Sequence, residues 1–388
     1  MQYLMEMRDS VTSTQKDVAL SPLIRFALRG LDSCWLPLAN RWSHIFHLDG
    51  RHGPNESLPQ SDVFYTLNVL LGLSRLFRAG YAPPGDLRSI FMRNACLITE
   101  LPVPLYAYAM ALWTSAELGY PLPDRVGLAV KRLVDDASGW RRWRAQDLGM
   151  MLCAVARKSE DDRSNWSDRA ERLYRFLVER FSCESGLFFD RVGGPRRRWA
   201  SFATQTYLTL ACYRYGEVFG HAEAVQLANR CVRKLMDLQG PMGEWPWFFD
   251  VYQGKVVDLY EVYSVHQDGM APAFLEHAEK HDVSQATRAI KSSFAWIYGN
   301  NLLGRSMLVP KLGLIVRSQV RRGELRSKAK RAARSIVRSF AGGVEEPLRP
   351  EQLELRLECR SYHLGWVIWS FAGRHDLPEI THHPSLLT

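Results

Sequence analysis

Between Gln239 and Pro272 the sequence gathers Glu244, Trp245, Trp247, Asp250, Asp258, Glu261, Tyr263, His266, Gln267 and Asp268. Tryptophans beside carboxylates suit a sugar, because ring faces stack on a pyranose while acids donate and accept protons. The same materials suit a carbocation, which aromatic faces also stabilise. Composition leaves both open. Asp268, Glu261, Asp250 and Asp147 are the candidate acid–base groups, with His266 beside them. Trp245, Trp247 and Trp366 are candidate stacking walls. Tyr263, Gln267, Arg360, Tyr362 and His363 are candidate orienting groups.

Asp147 and Asp268 each stand at the start of a predicted buried helix. The plainer role there is an N-cap or first-turn acid. The helix dipole favours the ionised form, so each suits a base, nucleophile or substrate clamp better than a general acid. Glu244 and Glu261, on loops among aromatics, are the better acid candidates. His266 and Asp268 would supply two metal ligands, but no third is visible, so neither a metal nor another cofactor is expected. Arg360 and Tyr362 could hold a carboxylate or phosphate, or tie their loop down. H-E-x-x-H, G-x-x-x-x-G-K-[ST] and G-x-S-x-G do not occur.

Helices must position these groups. Six segments are apolar nearly all round, beginning near Asp62, Pro104, Asp147, Ser201, Ser264 and Ser361, and a helix apolar on all sides is buried on all sides. Five amphipathic segments alternate with them, beginning at Asp86, Asp124, Asn165, Ala222 and Ser284, and Ser21 to Trp35 supplies a sixth. Such alternation is the mark of a helical repeat. The expected fold is all-α, an (α/α)6 toroid of six helical hairpins formed by residues 1–388 as one domain, with short β-hairpin loops at one rim. Two entry loops share Phe-Phe-Asp, Phe188–Asp190 and Phe248–Asp250, and the second alternates like a hairpin around Gln253-Gly254.

The chain has 388 residues and a formal charge of +9. Arg317 to Arg338 hold nine Lys or Arg and one acid, Glu324, so this window carries +8 and the rest only +1. That argues against a nucleic-acid partner. From Leu325 the apolar positions are helically spaced, so residues 300–359 read as an insertion carrying a basic amphipathic helix. Through 313–340 this segment would meet an anionic membrane surface, or simply lie in water. The seven cysteines are widely spaced with no C-x-x-C, and no signal-peptide or spanning run is present, so a cytoplasmic location, peripheral to the inner membrane at most, is expected.

Gln239-Gly240-Pro241-Met242-Gly243-Glu244-Trp245 fits Q-x-x-x-G-x-W and resembles the repeat of the terpenoid cyclase and protein prenyltransferase toroid. The cyclase motifs D-x-D-D and D-D-x-x-D are missing. A longer string, from Gln239 to Pro272 with Gly299–Met307 and Leu357–Trp366, is similar to uncharacterised bacterial toroid proteins that accompany polysaccharide biosynthesis. The resemblance implies a carbohydrate-active enzyme of hydrolase, lyase or epimerase type, acting on a glycan or lipid-linked saccharide. The alternatives are a terpenoid cyclase- or prenyltransferase-like enzyme acting on an isoprenoid, and a non-catalytic toroid that binds polysaccharide or a partner.

Overall fold

The structure is a computed structural model that describes residues 20–50, 53–81, 85–323 and 348–387. Each of the twelve expected helices forms. They are α1 Pro22–Ser33, α2 Pro59–Arg78, α3 Leu87–Cys96, α4 Leu105–Leu118, α5 Asp124–Asp135, α6 Ala145–Asp161, α7 Arg163–Phe181, α8 Phe202–Phe219, α9 Ala222–Asp237, α10 Ala271–Lys280, α11 Ala286–Tyr298 and α12 Ser361–Phe371. The even-numbered helices are the ones apolar all round. In α4 every residue from Ala109 to Leu118 is buried, and in α12 every residue from His363 to Phe371. The odd-numbered helices bury one stripe. In α7 it is Trp166, Ala170, Leu173, Tyr174, Leu177 and Phe181, a helical spacing. Each large apolar side chain so enclosed stabilises the fold by roughly 1.5–3 kcal/mol.

The chain divides into two compact units. One comprises Met1–Leu133, Leu308–Ile315 and Glu358–Thr388, and the other Val134–Met307 and Val316–Leu357. In the first, α2 packs against α12, α4 and α3. Glycine permits the closest of these approaches: a Cβ on Gly72 of α2 would lie 2.2 Å from the Gly365 carbonyl oxygen of α12. In the second, α8 packs between α6 and α10, with α7, α9 and α11 against them. Gly149 plays the same part there, since its Cβ would sit 2.9 Å from the Tyr207 carbonyl of α8.

Short strands build the entry loops. Phe248–Asp250 pairs with Lys255–Asp258, the expected hairpin, and also with Trp199–Ser201. Ser318–Arg321 lies between Val262–Tyr263 and Leu353–Arg356. The first part of the basic segment is therefore strand. Its Arg321 is buried against Asp258, with Nη1 2.8 Å from Oδ1, so the cation is taken up by an ion pair and not by solvent. The amphipathic run from Leu325 lies outside the described residues. Among those described, no helix is long and apolar enough to cross a membrane.

Candidate functional site

Asp147 is not a cap. Arg144 is the N-cap of α6 without a capping side chain, and Asp147 is the third helical residue. It is 7% exposed, and its buried Oδ1 has no hydrogen-bond partner among the described residues. Burial pushes its carboxyl up to about 6, and the charge of Asp190 acts in the same direction. Arg144 and the Gln146 side chain oppose this without prevailing. The expectation that the dipole would keep this acid ionised is thus reversed, because desolvation outweighs one helix terminus. A carboxyl titrating near 6 can both give and take a proton at neutral pH.

Asp190 and Arg144 escaped the sequence reading, although the repeated Phe-Phe-Asp pointed to Asp190. Arg144 forks onto Asp190, with Nε 3.3 Å from Oδ2 and Nη2 3.3 Å from Oδ1. Thr204, in the first turn of α8, donates to Asp190 Oδ1 at 2.6 Å, and the Ala145 N–H donates to the Asp190 carbonyl at 3.0 Å. The entry loop of α8 is so fastened to the start of α6.

A second cluster surrounds Glu261, which is 1% exposed. The Ser318 hydroxyl donates to its Oε1, the Tyr263 hydroxyl donates to Oε2 at 3.0 Å, and Arg356 Nη1 lies 3.5 Å from Oε1. His266 packs with its ring centre 4.6 Å from that of Phe202 and 5.1 Å from that of Tyr263, and Arg317 lies over Tyr263 at 5.4 Å. Asp268 sits in a π turn, His266–Met270, that opens the helix as expected. Pro272 explains the turn: it has no N–H for the carbonyl four residues back, and the Ala271 N–H reaches five back to His266. Burial, with the charge of Asp268 added, raises the Tyr298 phenol.

Other sequence candidates are committed to structure. Asp250 is fully buried, with Arg198 Nε 2.6 Å from Oδ2 and the Gln253 N–H 3.1 Å from Oδ1. Trp245 is enclosed between Phe202 and Phe274, so its ring offers no stacking face. Gln267 accepts from the Trp245 N–H at 2.9 Å and donates to the Tyr263 carbonyl at 3.0 Å, as Gln205 clamps both backbone groups of Phe188. Glu244 accepts from the Met242 N–H at 2.9 Å, and burial raises its carboxyl. Trp247 remains half-exposed.

The remaining candidates belong to the other unit. Arg360 donates to Glu358 Oε1 through Nε at 3.2 Å and Nη2 at 2.9 Å, which ties its loop down. Trp366 is enclosed at 1% exposure, and His363 is buried. Tyr362 is half-exposed, its ring 4.7 Å from that of Tyr65.

No protein-family model matches the chain, and no curated protein does. Solved structures do. A possible member of the GH105 family from Klebsiella pneumoniae superposes with a TM-score of 0.55 at 13% identity, over 95% of this chain and 96% of that one. The unsaturated glucuronyl hydrolase of Bacillus sp. GL1 gives 0.52 at 13%, over 94% and 96%. Cellobiose 2-epimerase of Bacillus thermoamylovorans gives 0.59 at 10%, over 90% and 99%. At such identities the likeness speaks to architecture alone: the chain has the α/α-toroid fold that its alternating helices predicted.

Proposed function

We propose that the chain is an enzyme acting on carbohydrate, with Asp147 as the group that moves the proton. The observation that carries this reading is a buried carboxyl whose Oδ1 has no partner and which is pushed up to about 6. Hydrolysis, elimination and epimerisation of a sugar each need one group that releases or takes up a proton near neutral pH. Structural neighbours named as glycoside hydrolases and as a sugar epimerase support the substrate class. Tyr263, oriented by buried Glu261 and packed beside His266, gives a second polar group in the same unit suited to meet sugar hydroxyls. Half-exposed Trp247 is the available stacking face. The finer expectation is a glycan or lipid-linked saccharide of polysaccharide biosynthesis.

The test is a screen of the purified chain against free and lipid-linked oligosaccharides. New reducing ends report hydrolysis, unsaturated products report elimination, and deuterium uptake from heavy water reports epimerisation. One of the three should appear with wild type and vanish in Asp147→Asn. Turnover that survives in that variant would remove Asp147 from the mechanism.

A further inference from the structure

The loops that enter α6 and α8, residues 136–144 and 182–201, carry seven arginines against three acids, Asp136, Glu184 and Asp190, a net +4 (7 − 3). They touch: Arg191 Nη1 donates to the Arg142 carbonyl at 3.0 Å, and Arg144 forks onto Asp190. Arg198 is held by Asp250. Arg196 and Arg197 have no carboxylate partner among the described residues. Arg196 is exposed. Arg197 donates to the Val192 carbonyl and lies with its guanidinium 4.2 Å from the centre of the Phe189 ring. A guanidinium fixed on an aromatic face keeps N–H edges free for a planar or tetrahedral anion. Like charges crowded on two joined loops repel one another, and a bound anion relieves that repulsion.

We propose that the saccharide carries an anionic group, a carboxylate or a phosphate, bound by Arg197 and Arg196 on the loop that Asp190 fastens to the start of α6. This rests on the carbohydrate reading above and adds the substrate's charge to it.

The experiment is calorimetric titration of the full chain with four probes. They are hexuronic-acid oligomers, the same oligomers reduced at the carboxyl to neutral sugars, neutral oligosaccharides bearing one phosphate monoester, and poly-L-glutamate. One of the two anionic saccharides should bind roughly tenfold or more tightly than the reduced form, and added salt should narrow the margin. Which one does so identifies the anion. The R196Q/R197Q double variant should melt like wild type and bind acidic and neutral forms alike, while Arg197→Lys should keep part of the margin. Equal binding of acidic and neutral forms by wild type overturns the proposal, as does a margin that survives in R196Q/R197Q. An equal gain for poly-L-glutamate overturns it too, since charge without sugar would then suffice. Binding of neutral forms alone overturns the anion and keeps the carbohydrate reading. Binding of no saccharide overturns both.

Discussion

Asp62 and Asp147 occupy the same kind of place and have opposite properties. Each is a buried aspartate in the first turn of a helix buried on all sides. Asp62 Oδ1 accepts from the His44 N–H at 2.9 Å and the Leu58 N–H at 3.2 Å, and it meets His44 Nδ1 at 3.0 Å. Its Oδ2 accepts from the Ser57 hydroxyl at 2.6 Å. Burial alone would raise this carboxyl, but those donors outweigh it and hold it below the usual range. Asp147 has burial without enough donors, and its carboxyl rises to about 6. Helix position and residue type are shared, so neither decides the chemistry. The number of donors around the oxygens does. Asp62 is built to stay charged and fasten a loop. Asp147 is left able to exchange a proton, the costlier arrangement for the fold.

The comparison breaks most visibly on substitution. Asp147→Asn should reduce turnover by about 10²–10⁴-fold, the range that general acid–base groups supply, and should leave the melting temperature unchanged or higher. Asp62→Ala should do the reverse in stability. It leaves both His44 groups and two further donors without their acceptor, so urea unfolding should show a loss of about 3 kcal/mol. If Asp147→Asn destabilises as much as Asp62→Ala, the two acids are both structural and the distinction fails.

The helices were legible because burial on one face or on all faces is written in residue spacing. The stripe of α7 and the uniform apolarity of α4 need no long-range information. The site was only partly legible, since its decisive features depend on which groups meet across the chain. Asp190 and Arg144 pair across 46 residues, and only the repeated Phe-Phe-Asp hinted at one of them. Trp245 has the composition of a sugar platform, yet two phenylalanines from other segments enclose it. The charge sum misled in a different way. Outside Arg317–Arg338 the chain totals only +1, which conceals the +4 concentrated on two joined loops. Averages over a chain erase segregation, and segregation is what a ligand reads.

Acidity sharpens the comparison further, because the two ends of the second unit respond to pH with opposite sign. At the C-terminal ends of α8 and α10, Glu217 accepts from His277 Nδ1 at 2.7 Å and meets His281 Nε2 at 3.2 Å. Burial would raise Glu217, but these partners hold it at about 2. A depressed carboxyl contributes stability above its unfolded value of 4.5 that is lost as pH falls through about 2. Asp147 is raised from 3.8 to about 6, so its contribution is complete below 3.8 and lost as pH rises through 6. Across that window the loss is on the order of 2–3 kcal/mol. Melting temperatures of wild type and Asp147→Asn should therefore agree at pH 4 to within a degree or so and diverge by about 4 °C or more at pH 7, the variant being higher. Parallel curves would show that the fold does not raise the Asp147 carboxyl.

The smallest effect isolates why Asp147 differs from Asp62. Asp190 raises Asp147 by its own charge, and it also holds both arms of Arg144, the cation that would lower it. Asp190→Asn removes the charge and loosens the fork, so Arg144 becomes available to Asp147. Both changes act in the same direction. The Asp147 carboxyl should fall, and the limb of the kcat/KM profile that it governs should move to lower pH by up to about one unit. Thr204→Val is the control. It removes the 2.6 Å hydroxyl bond to Asp190 but leaves the charge and the fork, so the limb should stay in place. A shift of equal size in both variants would mean that loop position, and not the charge on Asp190, sets the acidity of Asp147.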